Sequence, residues 1–420
     1  MVKAPVRRVA LYGYLGSGNI GNDASFETVL AWLRSTRPAV DVRCITIAPE
    51  VVADRYGVPA VSLAWRFGGR GSNPIAEVSR KVLGRLSDVP RSYTLAGSVD
   101  AIIVPGMGVL EDTLGTRPWG LPFWLFLIAA ACKLRRRRFV LLDVGANWAA
   151  NPVTRRLYFA IVRMATHVSY RDVSSAAVMA RAGARVPEAV APDLAFAHPA
   201  PTLAKPELGR VVVGVMAYYG REGDPTRGAD VRRQYVATLA AALADVVGAG
   251  NHAILVGGDQ EDVEVAREVG LAVRRSRPDL PDDAVLVHEL TTFAELTNEM
   301  SRAEVVIASR FHNLICALRL ARPTVSVGYA GKSRDLMQAV GVDGYCQDIE
   351  VLDASTLVAQ IAAARRDAEA LGAQIRRGTA TYADEVKALL DRVARDDLGL
   401  DVRHSRGFEA PDEMAVWRAG

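Results

Sequence analysis

VVIASRFHNLICALRLARPTVSVGYAGKSRDL, from Val305 to Leu336, decides the fold. Two short β-branched runs, Glu304–Ser309 and Thr324–Gly328, end in polar turns, and Asn313–Ala321 between them carries helical apolar spacing. A second turn, basic this time, follows Gly328 and leads into another helix. Strand, turn, helix repeated in this way is the unit of a parallel sheet, and it brings both turns to one edge of that sheet.

The same alternation runs outward. Strands are expected at Arg210–Met216, His252–Gly257 and Ala284–His288, with helices Asp230–Val247, Glu261–Val273 and Phe293–Ser301 between them. Before these stands AHPAPTLAKPELG, Ala197 to Gly209, proline-rich and without periodicity, which reads as a linker. In the first half, strands near Val6–Leu15, Val40–Ala48, Val99–Pro105, Arg138–Gly145 and His167–Arg171 alternate with helices Ala24–Ser35, Phe123–Lys133, Thr154–Ala165 and Ser174–Ala182. The expectation is an α/β chain of two doubly wound, Rossmann-like domains facing each other across a cleft. Residues 1–198 form the first domain, 199–209 the linker and 210–350 the second; 351–396 is read as C-terminal helices and 397–420 as an unassigned tail. Ligands of such domains bind at the C-terminal ends of the strands, so the site is expected in the cleft.

Composition narrows the partners. Lys and Arg total 51 against 47 Asp and Glu, a net +4 too small to favour nucleic acid by bulk charge. Any anion site must therefore be local. Cys44, Cys132, Cys316 and Cys346 lie far apart, outside the paired spacings of zinc or redox motifs, and read as reduced core thiols. The chain passes from a short basic start straight into a strand, unlike a signal peptide, which points to the cytoplasm. Leu121 to Leu134 is the most hydrophobic segment and falls short of the roughly 20 residues that span a bilayer.

Ser309, Arg310 and His312 sit where a strand ends and a helix begins, so backbone N–H groups and the positive end of the helix add to the charge of Arg310. Tyr329 and Lys332 arrive at the same edge one strand later. Two cations and a histidine, whose side chain ordinarily titrates near neutral pH, suit a small multiply charged anion and a proton transfer. Alone, His312 would read as a helix-capping or space-filling residue and Ser309 as an N-cap.

These residues, together with SYRDVSSAAVMARAG (Ser169–Gly183), APDLAF (Ala191–Phe196) and PGMGVLED (Pro105–Asp112) earlier in the chain, resemble the polysaccharide pyruvyl transferase family over roughly residues 8 to 345. The resemblance implies a two-domain architecture similar to GT-B glycosyltransferases. It implies phosphoenolpyruvate as donor, a pyruvate ketal on a sugar of a cell-envelope glycan or its precursor as product, and no metal or organic cofactor. The acceptor would be a glycan, a glycolipid or a nucleotide sugar. Carried across by residue, Arg171 and Arg310 hold the donor's anionic groups with Ser309 beside them, Lys332 assists, Tyr329 lines the pocket and His312 is the general acid. On local sequence alone Arg171 reads equally as a solvated arginine paired with Asp172. A GT-B glycosyltransferase using a nucleotide sugar and a non-catalytic glycan-binding member of the fold are the alternative readings.

The N-terminal loop GYLGSGNIGNDASFE, Gly13 to Glu27, also fits a dinucleotide-binding glycine pattern through Gly16, Gly18 and Gly21. The acidic residue expected at the end of the following strand is missing, which weighs against it. By resemblance the loop shapes the acceptor side through Asn19, Asn22 and Asp23, with Asp23 equally readable as an N-cap. Trp148 suits a sugar face or the core. Lys133 to Arg138, KLRRRR, suits either acidic lipid head groups at the inner face of the membrane or a solvated helix end. In GGDQEDVEVA, Gly257 to Ala266, Asp259 is expected as an N-cap and the acids are not expected to hold a metal.

Overall fold

The computed structural model describes residues 6–64, 74–112, 117–181, 183–184, 190–199, 204–220, 225–329 and 331–400 of the 420, the side chains of 74–82 and 225–227 excepted. Residues 200–203 of the expected linker and 401–420 of the expected tail thus lie outside the described residues.

The chain divides into two compact units. Among the described residues, those of Met1–Ser17, Ser25–Pro199 and Asp384–Gly420 form one, and those of Gly18–Ala24 and Ala200–Ala383 the other. In the first unit the strands are β1 (Arg8–Gly13), β2 (Asp41–Thr46), β3 (Ala60–Ser62), β4 (Ala101–Pro105), β5 (Arg138–Val144) and β6 (His167–Tyr170). They alternate with α1 (Ile20–Thr36), α2 (Pro49–Tyr56), α3 (Pro74–Ser98), α4 (Leu121–Leu134), α5 (Pro152–Met164) and α6 (Val173–Arg181). The sheet is parallel throughout, in the order β3-β2-β1-β4-β5-β6.

The second unit repeats the plan. Its strands are β7 (Arg210–Gly214), β8 (His252–Val256), β9 (Val285–His288), β10 (Val305–Ala308), β11 (Thr324–Gly328) and β12 (Cys346–Asp348), in the parallel order β12-β11-β10-β7-β8-β9. Helices α7 (Pro225–Gly248), α8 (Gln260–Ser276), α9 (Phe293–Ser301), α10 (Phe311–Arg319) and α11 (Gly331–Val340) alternate with them. Then follow α12 (Ala354–Arg366), α13 (Ala368–Gly378) and α14 (Tyr382–Val393), whose described residues from Asp384 onward count with the first unit.

Both sheets have the same shape because both are covered by helices on two faces. Every residue of β4 and β10 is buried, which is why AIIVP and VVIA read as unbroken apolar runs rather than alternating ones. Each of Val305, Val306 and Ile307, withdrawn from water, contributes about 1.5–3 kcal/mol. In each sheet the strand order reverses once, between β1 and β4 and between β7 and β10, and such reversals open a crevice at the strands' C-terminal ends.

Some elements differ from expectation. The three-residue strands β3 and β12 were not anticipated, nor were α2 and α3. Helix α1 begins at Ile20 rather than Ala24, because the Asn19 side chain accepts a hydrogen bond from the Asn22 backbone N–H at 3.2 Å. Asn19 is therefore the cap, and Asp23 lies inside the first turn, fully buried, rather than capping it. The four cysteines are free thiols; burial lifts Cys132 to about 12 and Cys316 and Cys346 to about 11. Among the described residues no helix is long and apolar enough to cross a membrane.

Candidate active site

In the second unit, the reversal between β7 and β10 sets the stage. Strand β10 ends at Ala308, Ser309 and Arg310 follow, and α10 begins at once with Phe311 and His312. Arg310 is the N-cap, in extended backbone, and gives no side-chain hydrogen bond to the helix. The positive end of α10 thus adds to the charge of Arg310, which suits an anion.

Arg310 is clasped from one side. Its Nε donates to Asp262 Oδ2 at 2.6 Å, and its Nη2 donates to Asp262 Oδ1 at 2.7 Å and to Asp259 Oδ2 at 2.5 Å. Among the described residues no protein group bonds to its Nη1. Burial alone would lower its pKa, but the bonds and charges of Asp262 and Asp259 raise it, so the guanidinium stays charged. Both acids come from GGDQED. Asp259 caps α8 by accepting from the Asp262 N–H at 3.1 Å, as expected, while Asp262, fully buried, also accepts from Ala217 N at 2.7 Å and Gly258 N at 2.9 Å. The cap is the role expected of Asp259, and the clasp on Arg310 is an addition to it.

Ser309 is turned inward. Its Oγ lies 2.9 Å from the hydroxyl of Tyr235, whose own pKa burial pushes up to about 12. Lys332, in the first turn of α11, holds its Nζ 5.1 Å from the Phe311 ring centroid, a cation–π contact. The Phe311 ring in turn meets the His312 ring edge-on at 6.0 Å. Tyr329 packs on Tyr218 at 5.3 Å, and the Tyr218 hydroxyl donates to Glu350 at 2.7 Å. Gly21, in the first turn of α1, lies so close to His312 that a Cβ built on it would fall 2.1 Å from Nδ1. Ile20 N, one residue before, donates to Gly258 O at 3.1 Å. Asn19 and Asn22 are half-buried in this same segment.

Ser309, Arg310, His312, Tyr329 and Lys332 therefore all stand at one edge of one sheet. A cavity of about 280 Å³ opens beside them at the ends of β11 and β12, bordered by Tyr329, Ser333, Arg334, Gln347 and Asp348. It takes in neither Arg310, His312 nor Lys332, so it neighbours the cluster rather than containing it.

Arg171 belongs to the first unit. It is 7% exposed, so it is not a solvated arginine. Its Nη2 donates to Glu111 Oε1 at 2.7 Å, its Nη1 to Asp193 Oδ2 at 3.4 Å and to Gly106 O at 3.3 Å, and Asp172 lies at 3.9 Å. Burial opposes its charge, yet Glu111, Asp193 and Asp172 outweigh that and raise its pKa. The three motif segments of this half thus interlock: Arg171 of the RD segment, Asp193 of the PD segment, and Glu111 and Gly106 of the glycine-rich turn. A Cβ at Gly145 would fall 2.3 Å from Glu111 Oε1 and 2.6 Å from Arg171 Nη2, so any larger residue there would displace this ion pair. Trp148, also of this unit, is 52% exposed and carries the Arg155 guanidinium 4.9 Å over its ring.

The polysaccharide pyruvyl transferase family model matches residues 19–331, from the cap of α1 to the start of α11. The chain belongs to the polysaccharide pyruvyl transferase family. No curated protein matches the sequence. Solved structures resemble this pyruvyl transferase family member in fold. MnaA of S. aureus, in a co-structure with UDP, is 12% identical with a TM-score of 0.60, covering 96% of this chain and all (100%) of that one. UDP-GlcNAc 2-epimerase from Neisseria meningitidis, bound to UDP-GlcNAc, is 9% identical with a TM-score of 0.58, covering 93% and 100%. A glycosyltransferase from Rickettsia africae is 10% identical with a TM-score of 0.55, covering 93% and 97%. At such identities the likeness establishes the fold alone, an α/β two-domain fold of the GT-B kind.

Proposed function

We propose that the protein transfers the pyruvyl group of phosphoenolpyruvate to two hydroxyls of a sugar in a cell-envelope glycan or its precursor, forming a pyruvate ketal. The observation that carries this reading is the gathering of Arg310, His312 and Lys332 at one sheet edge, in a chain of the pyruvyl transferase family. Arg310, pinned by Asp259 and Asp262, offers Nη1 to the donor's anionic groups, and Lys332 supplies a second charge.

His312, as general acid, protonates the methylene carbon of the enol. Positive charge develops at the neighbouring carbon, which one sugar hydroxyl attacks, its proton replacing the one that His312 gave up, while the proton of the second hydroxyl leaves with phosphate. The second hydroxyl then displaces phosphate and closes the ketal, so one C–H and two C–O bonds form and one C–O bond to phosphate breaks. Asn19 and Asn22 border His312 through Gly21 and, with the buried Asp23 next to them in the chain, are assigned to the acceptor side. Arg171, whose guanidinium is taken up by Glu111 and Asp193, is assigned to tying the glycine-rich turn to the PD segment rather than to holding the donor. The scheme calls for no metal or organic cofactor.

Incubation with phosphoenolpyruvate and candidate glycans in deuterated water tests it. Acceptor-dependent phosphate release and a deuterium-labelled methyl group on the sugar are expected. Phosphate release that never depends on any acceptor in a broad panel counts against the proposal.

A further inference from the structure

Helix α3 is built inside out. From residue 83 on, the side facing the protein carries Gly84, Asp88, Ser92 and Ala96, all buried and spaced four apart. The side facing solvent carries Leu83 (56% exposed), Leu86 (63%), Val89 (49%) and Tyr93 (45%), with Pro90 among them. A surface helix of a soluble domain normally turns its apolar stripe to the core. Here the core side is tied instead by the carboxylate of Asp88, which accepts from Trp124 Nε1 at 2.8 Å.

A basic run adjoins the stripe. At the end of α4, Lys133, Arg135 and Arg136 are exposed, and Leu134 is 75% exposed. Arg135 places its guanidinium 3.9 Å over the Tyr93 ring, joining the two features into one surface. Among the described residues none of Lys133, Arg135 and Arg136 meets a carboxylate. Among the described residues of α3 from Leu83 on, Asp88 is the single acid and is buried, and α4 has none.

We propose that this surface docks the protein on an anionic lipid bilayer. The outer side chains of α3 enter the boundary between head groups and acyl chains, and the basic run at the end of α4 meets lipid phosphates. A bilayer supplies both the apolar medium and the negative charge that the surface lacks. A second copy of this chain seated on the same face would bring apolar groups but no carboxylate to the arginines.

Co-sedimentation of the full chain with vesicles tests it, independently of any enzymatic reaction. Vesicles of equal phosphatidylglycerol and phosphatidylcholine should carry the protein down, and pure phosphatidylcholine vesicles should do so at least about tenfold less well. Because Leu83 and Leu86 point outward, Leu83→Glu with Leu86→Glu should leave the melting curve unchanged and weaken vesicle binding by about tenfold or more. Arg135→Gln with Arg136→Gln should weaken it about as much and flatten its dependence on salt. Failure of the unaltered protein to bind anionic vesicles, or undiminished binding by the double glutamate variant, overturns the proposal. So does light scattering that shows a dimer which the glutamate variant turns into a monomer, since the stripe would then be covered by a second copy.

Discussion

Gly21 and His312 touch across the first turns of two helices, with room for a hydrogen and no more: a methyl group on the Gly21 Cα would fall 2.1 Å from the imidazole. Gly21→Ala raises helix propensity, so it should not unfold α1. It must instead push the ring aside, and a displacement of about 1 Å at a reacting group can cost about 10²-fold in rate. Acceptor-dependent phosphate release should fall by about that factor while circular dichroism stays unchanged. Wild-type turnover in this variant would mean that the place of the imidazole is unimportant.

Asp262 holds Arg310 with two oxygens and two backbone N–H groups besides, all without exposure of its own side chain. Asp262→Ala leaves a half-buried guanidinium short of its partner and should destabilise the fold by about 3 kcal/mol. Asp259 is partly exposed, and Asp259→Ala should cost only about 1 kcal/mol, mostly as a lost cap. Urea unfolding of the two variants checks the contrast, and equal losses would contradict it.

Arg171 is enclosed by carboxylates on several sides. Arg171→Met strands Glu111 and Asp193 in a low-dielectric setting and should cost about 3–5 kcal/mol of stability. Glu111→Gln should cost less, since the amide needs no counter-charge. A melting temperature of Arg171→Met equal to wild type would show that the cluster does not hold these segments together.

Asp143 occupies left-handed backbone at φ 58°, is fully buried, and accepts from Leu194 N at 3.0 Å. Burial, and then the charge of Asp193, push its carboxyl well above the usual range against the pull of Arg171. The folded state therefore keeps a proton that the unfolded chain loses above about pH 4. Stability should fall as pH rises from that point through the folded pKa, because the unfolded state binds fewer protons over that window. Asparagine does not titrate and tolerates left-handed backbone, so Asp143→Asn should flatten this decline. Urea midpoints between about pH 5 and about pH 8 report it; parallel curves for both proteins would exclude it.

Phosphoenolpyruvate at about a hundred times its dissociation constant should stabilise the protein by about 2.7 kcal/mol. UDP should not. A melting shift with UDP and none with phosphoenolpyruvate would favour a nucleotide-sugar glycosyltransferase.

The parts of this fold that sequence made plain are those with enough residues to carry a period. Phe293–Ser301 and Thr324–Gly328 lie where expected, because a capping box at Thr292 and Glu295 and an apolar run before a glycine mark their limits. Strands β3 and β12 have three residues each, too few to alternate. Helix α3 escaped because Gly84, Pro90 and its outward leucines contradict the pattern of a soluble helix. At the site, position was legible and partnership was not. The turn carrying Arg310 and His312 follows from strand and helix boundaries alone. Its acids do not, because Asp259 and Asp262 are 51 and 48 residues away from Arg310. A signal existed in their spacing: two acids three apart in a first helical turn both face back toward a strand end. Likewise Glu111 and Asp193 lie 60 and 22 residues from Arg171, and nothing local tells whether an arginine after a strand is wet or enclosed.

The small segment Gly18–Ala24 counts with the second unit although it is encoded almost at the start of the chain. Splitting the gene between Pro199 and Ala200 therefore does not separate two self-sufficient modules: the later fragment would lack the surface that walls His312. Replacing the first half of this chain by another would likewise rewrite the neighbourhood of His312, because Gly21 would be exchanged with it.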